Sequence, residues 1–274
     1  MSEDLTYAAY LDLATLLSAQ HPRSSPPHHD ELLFIIQHQT SELWFTLVLH
    51  ELRAVRRHLA ADDLGPALKG IARVKHIQDT LAQQWTVLGT LTPSEYSQFR
   101  KFLATSSGFQ SAQYRMVEFI LGNKQPRMLA AFDDDPPSRS ALEAELTAPS
   151  IYDEFIALMS RHGLGVPVDL LDRDWSAPRE LSDGLVRTFL TIYSTPEQHW
   201  ELYETCEELV DLEDSFQTWR FRHLKTVERI IGNAPGTGGS AGVAFLRRAL
   251  DQSFFPELYA VRGHLAEGTR SLDS

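Results

Sequence analysis

Cysteine is nearly absent from this 274-residue chain. The single residue, Cys206, can form no internal disulfide and no Cys-x-x-Cys redox or zinc pair, so a reducing compartment is the simpler setting. Positive charge is short as well: 25 Lys and Arg stand against 37 Asp and Glu, a formal charge of −12. That balance argues against a nucleic-acid partner, because tracking a phosphate backbone needs clustered Lys and Arg. Long apolar runs are missing too, and no stretch approaches the ~18 uninterrupted residues of a membrane span. The stretch Met1 to Gln20 carries Glu3 and Asp4 where a signal peptide would be basic, and Asp12 breaks its apolar run. The expectation is a cytoplasmic protein that meets neither nucleic acid nor membrane.

Strand signatures are nearly absent, since alternating apolar and polar runs bounded by turn pairs hardly occur. Helical periodicity takes their place. From Asp30 to about Ala61, Leu32, Ile36, Leu43, Leu47, Leu52, Val55 and Leu59 recur at threes and fours without Gly or Pro. Further helices are expected from about Pro66 to Leu88, from the Thr92-Pro93-Ser94-Glu95 capping box, and over Gln110 to Leu121 before Gly122. Others follow from Ser150 to about Arg161, Ala177 to Ile192, and Pro196 to Ile231, where Gly232 stops the pattern. Phe132 to Ser140 and His162 to Ala177 read as loops. With 43% hydrophobic residues and a length near the limit of one core, the chain is expected to be all-α: one helical domain over 1–274 with a small helical or loop insertion at about 125–175.

Four groupings emerge at helical spacing. Phe34 and His38 share one helix face, Tyr96 and Arg100 another, and Tyr7, Tyr10 and Leu11 form a stripe near the N-terminus. His223 shares a face with Phe216, Trp219, Val227 and Ile230. Each pair taken singly has an ordinary structural explanation: a packed core histidine, a surface Tyr–Arg pair, an N-terminal helix lying on the body. The segment Gly232 to Gly242 (GNAPGTGGSAG) concentrates five of the fifteen glycines. It matches G-x-G-x-x-A, but that fingerprint follows a strand in a βαβ unit and this one follows a long helix. A mobile lid whose amides, Thr237 and Ser240 close over a small ligand is the better reading.

Eleven histidines invite a search for metal sites. His29-Asp30-Glu31 holds half of a facial iron triad, yet it lies at a helix N-terminus where Asp30 and Glu31 have capping and dipole roles. No His-Glu-x-x-His or paired Glu-x-x-His spacing occurs. Glu204, Glu207 and Glu208 disfavour a Cys206 thiolate, and covalent haem attachment through Cys-x-x-Cys-His is impossible. What survives is a helical protein with apolar-face His on two long helices, which could hold a haem between them, one His on iron and the other facing the distal side.

Four ordered motifs carry a resemblance over nearly the whole chain, from Tyr7 to about Arg262. They are HDELLFIIQHQTSELW (His29 to Trp44), LTPSEYSQFR…SSGFQSAQYR (Leu91 to Arg115), FRHLKTVERIIG (Phe221 to Gly232) with the following GTGGSAGVAFL, and the terminal FFPEL. Together the chain resembles the haem-dependent tryptophan 2,3-dioxygenases. The resemblance implies an all-α fold whose core helices sandwich one non-covalent b-type haem per subunit, ferrous when active, with O₂ as co-substrate. It implies cleavage of the indole C2–C3 bond of L-tryptophan to N-formylkynurenine, the first step of tryptophan catabolism through kynurenine.

By motif position, the resemblance makes His223 the axial iron ligand and His38 the distal histidine that accepts the indole N–H. Phe34 would pack on the indole, Arg100 would take the substrate carboxylate with support from Tyr96, and Thr237 would bind the ammonium and close the 232–242 lid. Ser107 and Gly108 would lie over the haem. Tyr7, Tyr10 and Leu11, in the segment 1–20, would reach a neighbouring subunit's pocket in a homotetramer built as a dimer of dimers. Two other readings stay open: a paralogous haem oxygenase acting on a substituted tryptophan or other indole in specialised metabolism, and a non-enzymatic helical haem-binding sensor.

Overall fold

A computed structural model describes residues 5–237 and 242–270. Met1–Asp4 and residues 238–241 of the glycine-rich segment, Ser240 among them, lie outside the described residues. In chain order the helices are α1 (Tyr7–Tyr10), α2 (Leu13–Leu16), α3 (Glu31–Ala60), α4 (Leu64–Leu88), α5 (Pro93–Arg100), α6 (Ala112–Leu121), α7 (Pro136–Thr147), α8 (Ile151–Arg161), α9 (Asp183–Ser194), α10 (Trp200–Ile231), α11 (Val243–Leu250) and α12 (Pro256–Arg270). Among the described residues there is no strand, so the fold is all-α as the periodicity predicts.

Three long helices build the centre. α4 lies between α3 and α10 and packs most extensively on both. Glu51 pairs with Arg73 and Val55 meets Gly70, so α3 and α4 run antiparallel across a short connection. Lys75 reaches Glu208 and Asp211 while Trp85 meets Trp219 and His223, so α4 and α10 run parallel. The interface is made by Leu52, Val55 and Leu59 of α3, Ile71 and Val74 of α4, and Leu209, Leu212 and Phe216 of α10, all fully buried. Each contributes roughly 1.5–3 kcal/mol by leaving water. Gly70 is required by the crossing itself: a Cβ there would stand 2.6 Å from Val55 Cγ2, so only glycine allows the two backbones this approach. This arrangement turns the N-terminal half of α3 and the C-terminal ends of α4 and α10 toward the same end of the molecule.

Local chemistry explains most helix starts. Thr92 and Glu95 form the predicted capping box, and Ser150 and Asp153 form another. Three expectations are corrected. Phe132 to Ser140 is not a continuous loop, because Pro136 and Pro137 occupy the first turn of α7 and the Asp135 carboxylate accepts from Ser138 N–H. The helix expected at Ala177 begins only at Asp183, where the Ser182 hydroxyl accepts from Leu185 N–H. Nor does Asp30 cap α3 with its side chain. Glu31, almost fully buried, instead accepts from the backbone N–H of Arg23 (2.7 Å) and Ser24 (2.9 Å), pinning the preceding segment to the head of α3. Burial opposes its ionisation, yet hydrogen bonds from Ser24 and Arg23 hold its carboxyl below the usual range. Cys206 is fully buried, and burial ahead of Glu207 pushes its thiol well up, so it stays protonated.

Within the stretch 125–175, α8 enters the core through Ile151, Tyr152, Phe155 and Ile156 and packs on α3. The Tyr152 hydroxyl donates to Glu257, which also pairs with Arg179, so α8, the 173–179 segment and α12 are tied at one buried carboxylate. Among the described residues no helix is long and apolar enough to cross a membrane.

Candidate active site

At the shared end of α3, α4 and α10 lies a cavity of about 650 Å³, within the size range of small-molecule and cofactor sites. Phe34 and His38 come from α3, Trp85 and Leu88 from α4, Tyr96 from α5, and Trp219, His223 and Val227 from α10. The segment 107–111 and α6 close one side through Ser107, Gly108, Phe109, Tyr114 and Arg115. Gly236 and Thr237 with Phe245 and Leu246 of α11 close another. The walls are mainly apolar and aromatic, which is what a site that excludes water needs.

Phe34 and His38 are one turn apart, and their rings stack in a tilted pair 4.2 Å between centroids. Phe34 also touches Tyr96 (6.0 Å) and Phe99 (5.7 Å), so its ring is clamped between α3 and α5. His38 Nδ1 lies 2.7 Å from the Phe34 carbonyl oxygen. A carbonyl only accepts, so Nδ1 carries the proton and Nε2 is left with a lone pair. Burial lowers the His38 pKa, against the opposing pull of the Phe34 carbonyl and Glu42, so the ring is neutral. His38 therefore presents an acceptor and not a cation.

His223 differs. Neither of its ring nitrogens has a hydrogen-bond partner among the described residues, and the residue lines the cavity. Burial, with a smaller contribution from nearby His38, lowers its pKa to about 4. Trp85 lies flat on it, 4.5 Å between centroids with planes 7° apart, and Trp219 flanks it at 5.4 Å. The result is a neutral imidazole with a free lone pair in an apolar, aromatic setting. Such a nitrogen suits a metal held by something other than side chains: among the described residues no three His, Cys, Asp or Glu stand together as a metal cluster.

A charged network forms the third part of the wall. Glu118 accepts from Arg115 and, at 3.0 Å, from Arg220, both buried. Arg220 also bonds the carbonyls of Ala249 and Gln252, which joins α10 to the end of α11. Arg127 and Arg248 line the same cavity, giving four arginines against the two glutamates Glu42 and Glu118. Three N–H groups of residues that line the cavity are buried with no acceptor among the described residues: Trp85 Nε1, Trp219 Nε1 and Arg115 Nε. Such orphans are rare in folded proteins, and a bound group or ordered water is their usual partner.

The structure thus brings Phe34, His38, Tyr96, Ser107, Gly108, Thr237 and His223 to one cavity. Arg100 stands apart from the cavity wall. Its guanidinium donates to the Pro235 carbonyl, while the Thr237 hydroxyl donates to the Ser106 carbonyl, so two side chains tie the described part of the glycine-rich segment to α5 and the segment after it. Gly242, where the described chain resumes, has φ +56°, and a Cβ there would lie 2.7 Å from the Ala234 carbonyl oxygen. Tyr7, Tyr10 and Leu11 are exposed, at 76%, 73% and 41%, and contribute nothing to this chain's own cavity. Sequence reasoning missed Trp85, Tyr114, Phe109 and the arginines of the floor. Trp219 and Arg220, on the same helix as His223, are the local signals; Trp85, Phe109, Tyr114 and the other arginines come from other segments and carry no spacing that links them to a histidine.

Comparison with known proteins agrees over almost the full length. The sequence profile of the family described as "Tryptophan 2,3-dioxygenase" matches residues 1–145 and 178–265. A protein of that name from Arthrobacter sp. (strain FB24) is 60% identical over 266 residues, covering 97% of this chain and 94% of the relative. Namesakes from Kineococcus radiotolerans and Saccharopolyspora erythraea are 62% and 60% identical, covering 95% and 96% of this chain and 91% and 93% of theirs.

Proposed function

The chain belongs to the tryptophan 2,3-dioxygenase family, and from that premise we propose the division of labour by which it opens the indole ring of L-tryptophan to give N-formylkynurenine. In that reaction the C2–C3 bond breaks and both atoms of O₂ enter the product, one as the ketone oxygen at C3 and one as the formyl oxygen at C2. No net reductant is consumed. Relatives carrying the name act on tryptophan by that name, and the site here has the parts such a substrate needs.

The observation that carries the reading is the His38 tautomer. With Nδ1–H committed to the Phe34 carbonyl, Nε2 of this cavity-lining ring is left as an acceptor for a substrate donor, and an indole offers one N–H. Indole N–H is a very weak acid, so His38 orients the ring and need not remove its proton. Phe34, clamped by Tyr96 and Phe99, supplies a fixed aromatic surface for the indole. Arg100 would take the carboxylate in a bidentate pair after releasing the Pro235 carbonyl, and Thr237 would accept from the ammonium after turning from Ser106. Substrate binding is thereby coupled to the contacts that hold the glycine-rich segment. Holding the reacting atoms together in a dry pocket is the protein's main contribution to rate.

The residues present fit a b-type haem. His223 offers an uncommitted neutral nitrogen, and the surplus of two positive charges among the residues lining the cavity equals the two propionates such a haem carries. His223 would hold the haem iron, the arginines lining the cavity would balance the charge of the propionates, and Ser107 and Gly108 would line the haem pocket. When bound, the haem supplies the iron that makes O₂ reactive toward the indole. Burial keeps the His223 imidazole neutral, the form in which its nitrogen could bind the iron.

The homotetramer implied by the family is supported by the unpartnered stripe Tyr7, Tyr10 and Leu11 and by the exposed Leu32, Ile36 and Leu43 on α3. The one buried cysteine suits a cytoplasmic setting. Anaerobic reduction of the purified haem protein, followed by L-tryptophan and O₂, tests the function: N-formylkynurenine is expected at one equivalent per O₂ consumed. Ring-opened product from a substituted tryptophan alone would transfer the assignment to the paralogous reading.

A further inference from the structure

We propose that Trp85 is the positioning residue of the iron ligand: its indole fixes the plane of the His223 ring and so the direction in which the free nitrogen points. The proposal rests on the assignment of His223 as axial ligand. It concerns a residue on a different helix, with no sequence link to the histidine.

A histidine on a helix can turn about its Cβ–Cγ bond, and a ring free to do so points its nitrogen over a range of directions. Here one face of the imidazole lies 4.5 Å from the Trp85 ring with the planes 7° apart. Turning the imidazole would drive an edge into the indole, so rotation is blocked by contact. The second neighbour, Trp219, meets His223 at 45° and Trp85 at 51°, closing the corner behind both rings. Trp85 is itself held, being 7% exposed and packed in the helix interface. An aliphatic side chain would fill the volume without defining a plane. The Trp85 Nε1–H has no acceptor among the described residues, so hydrogen bonding inside the protein does not account for an indole at this place. The flat face does.

The test compares the haem-loaded wild type with Trp85→Phe, Trp85→Leu and His223→Ala. Two readouts are taken: the iron–histidine stretching band of the ferrous protein by resonance Raman, and the rate of haem transfer to excess apomyoglobin. A stack of this kind is worth enough to change transfer about two- to tenfold. Trp85→Leu is expected to broaden the band, reporting a spread of ring orientations, and to speed transfer by that factor. Trp85→Phe keeps a flat face and is expected to keep a narrow band and a rate within about twofold of wild type. Should Trp85→Leu fail to hold its fold, Trp85→Met takes its place with the same expectation. A wild-type band and rate in the aliphatic variant would overturn the proposal, as would equal broadening in the Phe and Leu variants. Persistence of the band in His223→Ala would instead overturn the ligand assignment on which it rests.

Discussion

Replacing Arg100 by alanine separates two roles that one guanidinium holds in turn. Without substrate, Arg100 donates to the Pro235 carbonyl at the molecular surface, a bond worth about 1 kcal/mol net. With substrate it would pair with the tryptophan carboxylate, and truncating one partner of a desolvated charged pair typically costs about 2–5 kcal/mol. The wild type must give up the first bond to make the second, so the net loss in Arg100→Ala is about 1–4 kcal/mol. That corresponds to a rise in KM of roughly 5- to 1000-fold, with about 100-fold as the central value. Because Arg100 does not line the cavity, haem content and Soret absorbance should be unchanged. The assay is steady-state oxygenation of L-tryptophan and of tryptamine, which lacks the carboxylate, by both proteins. The variant should lose its preference for tryptophan over tryptamine while handling tryptamine like the wild type. A near-normal KM for tryptophan with retained Soret absorbance would refute the assignment. So would an equal loss on both substrates, which would place the whole effect in the tie to Pro235.

The two histidines should separate cleanly: His223→Ala loses or badly weakens haem retention, whereas His38→Ala keeps haem and turns over about 10- to 100-fold more slowly, the range of one orienting hydrogen bond; haem loss from His38→Ala alone would mean the roles are exchanged. The His223 pKa is lowered in the fold to about 4 from 6.5, so the unfolded chain binds more protons between those values and the apo-protein should lose stability as pH falls through that window. Protons compete with iron for the same nitrogen only near the lowered value, so Soret absorbance should persist to about pH 5, and haem release beginning near pH 6.5 would refute the neutral-imidazole argument. Gly70→Ala should destabilise by about 1–3 kcal/mol in urea unfolding, because its methyl group meets the buried Val55 side chain; an unchanged midpoint would show that the α3–α4 crossing relaxes freely. Removing the residues before Asp12 should weaken the oligomer and raise the KM for tryptophan, and sedimentation that finds a fully active monomer would count against the N-terminal stripe.

Helix content was legible from the chain because it depends on neighbours three and four residues apart. The run from Leu32 to Leu59, the Thr92–Glu95 capping box and the glycine after Ile231 each carry their own signal. The start of α7 is hidden in the sequence because Pro136 and Pro137 signal a loop as readily as the first turn of a helix, where their missing N–H has no cost. Apolar spacing before Ser182 points to an earlier start for α9 than the fold allows, because the Ser182 cap sets where the helix begins.

The site divides in the same way. Phe34 with His38, and Trp219 with His223, are pairs made by one helix and visible in one dimension. Which nitrogen of His38 is free also follows from one helix, since its partner is the carbonyl of Phe34 one turn back, though the bond itself is seen only in three dimensions. The parallel register of α4 on α10, which lays Trp85 on His223, was decided by tertiary packing alone. So were the gathering of four arginines around one cavity and the tie from Arg100 to Pro235. Periodicity and capping act within a helix, whereas side-chain neutrality, ring orientation and charge surplus arise from what distant helices bring together and bury. By itself the sequence determined an all-α chain with two apolar-face histidines; the fold decided that one is a fixed acceptor and the other a neutral imidazole whose nitrogens have no partner among the described residues.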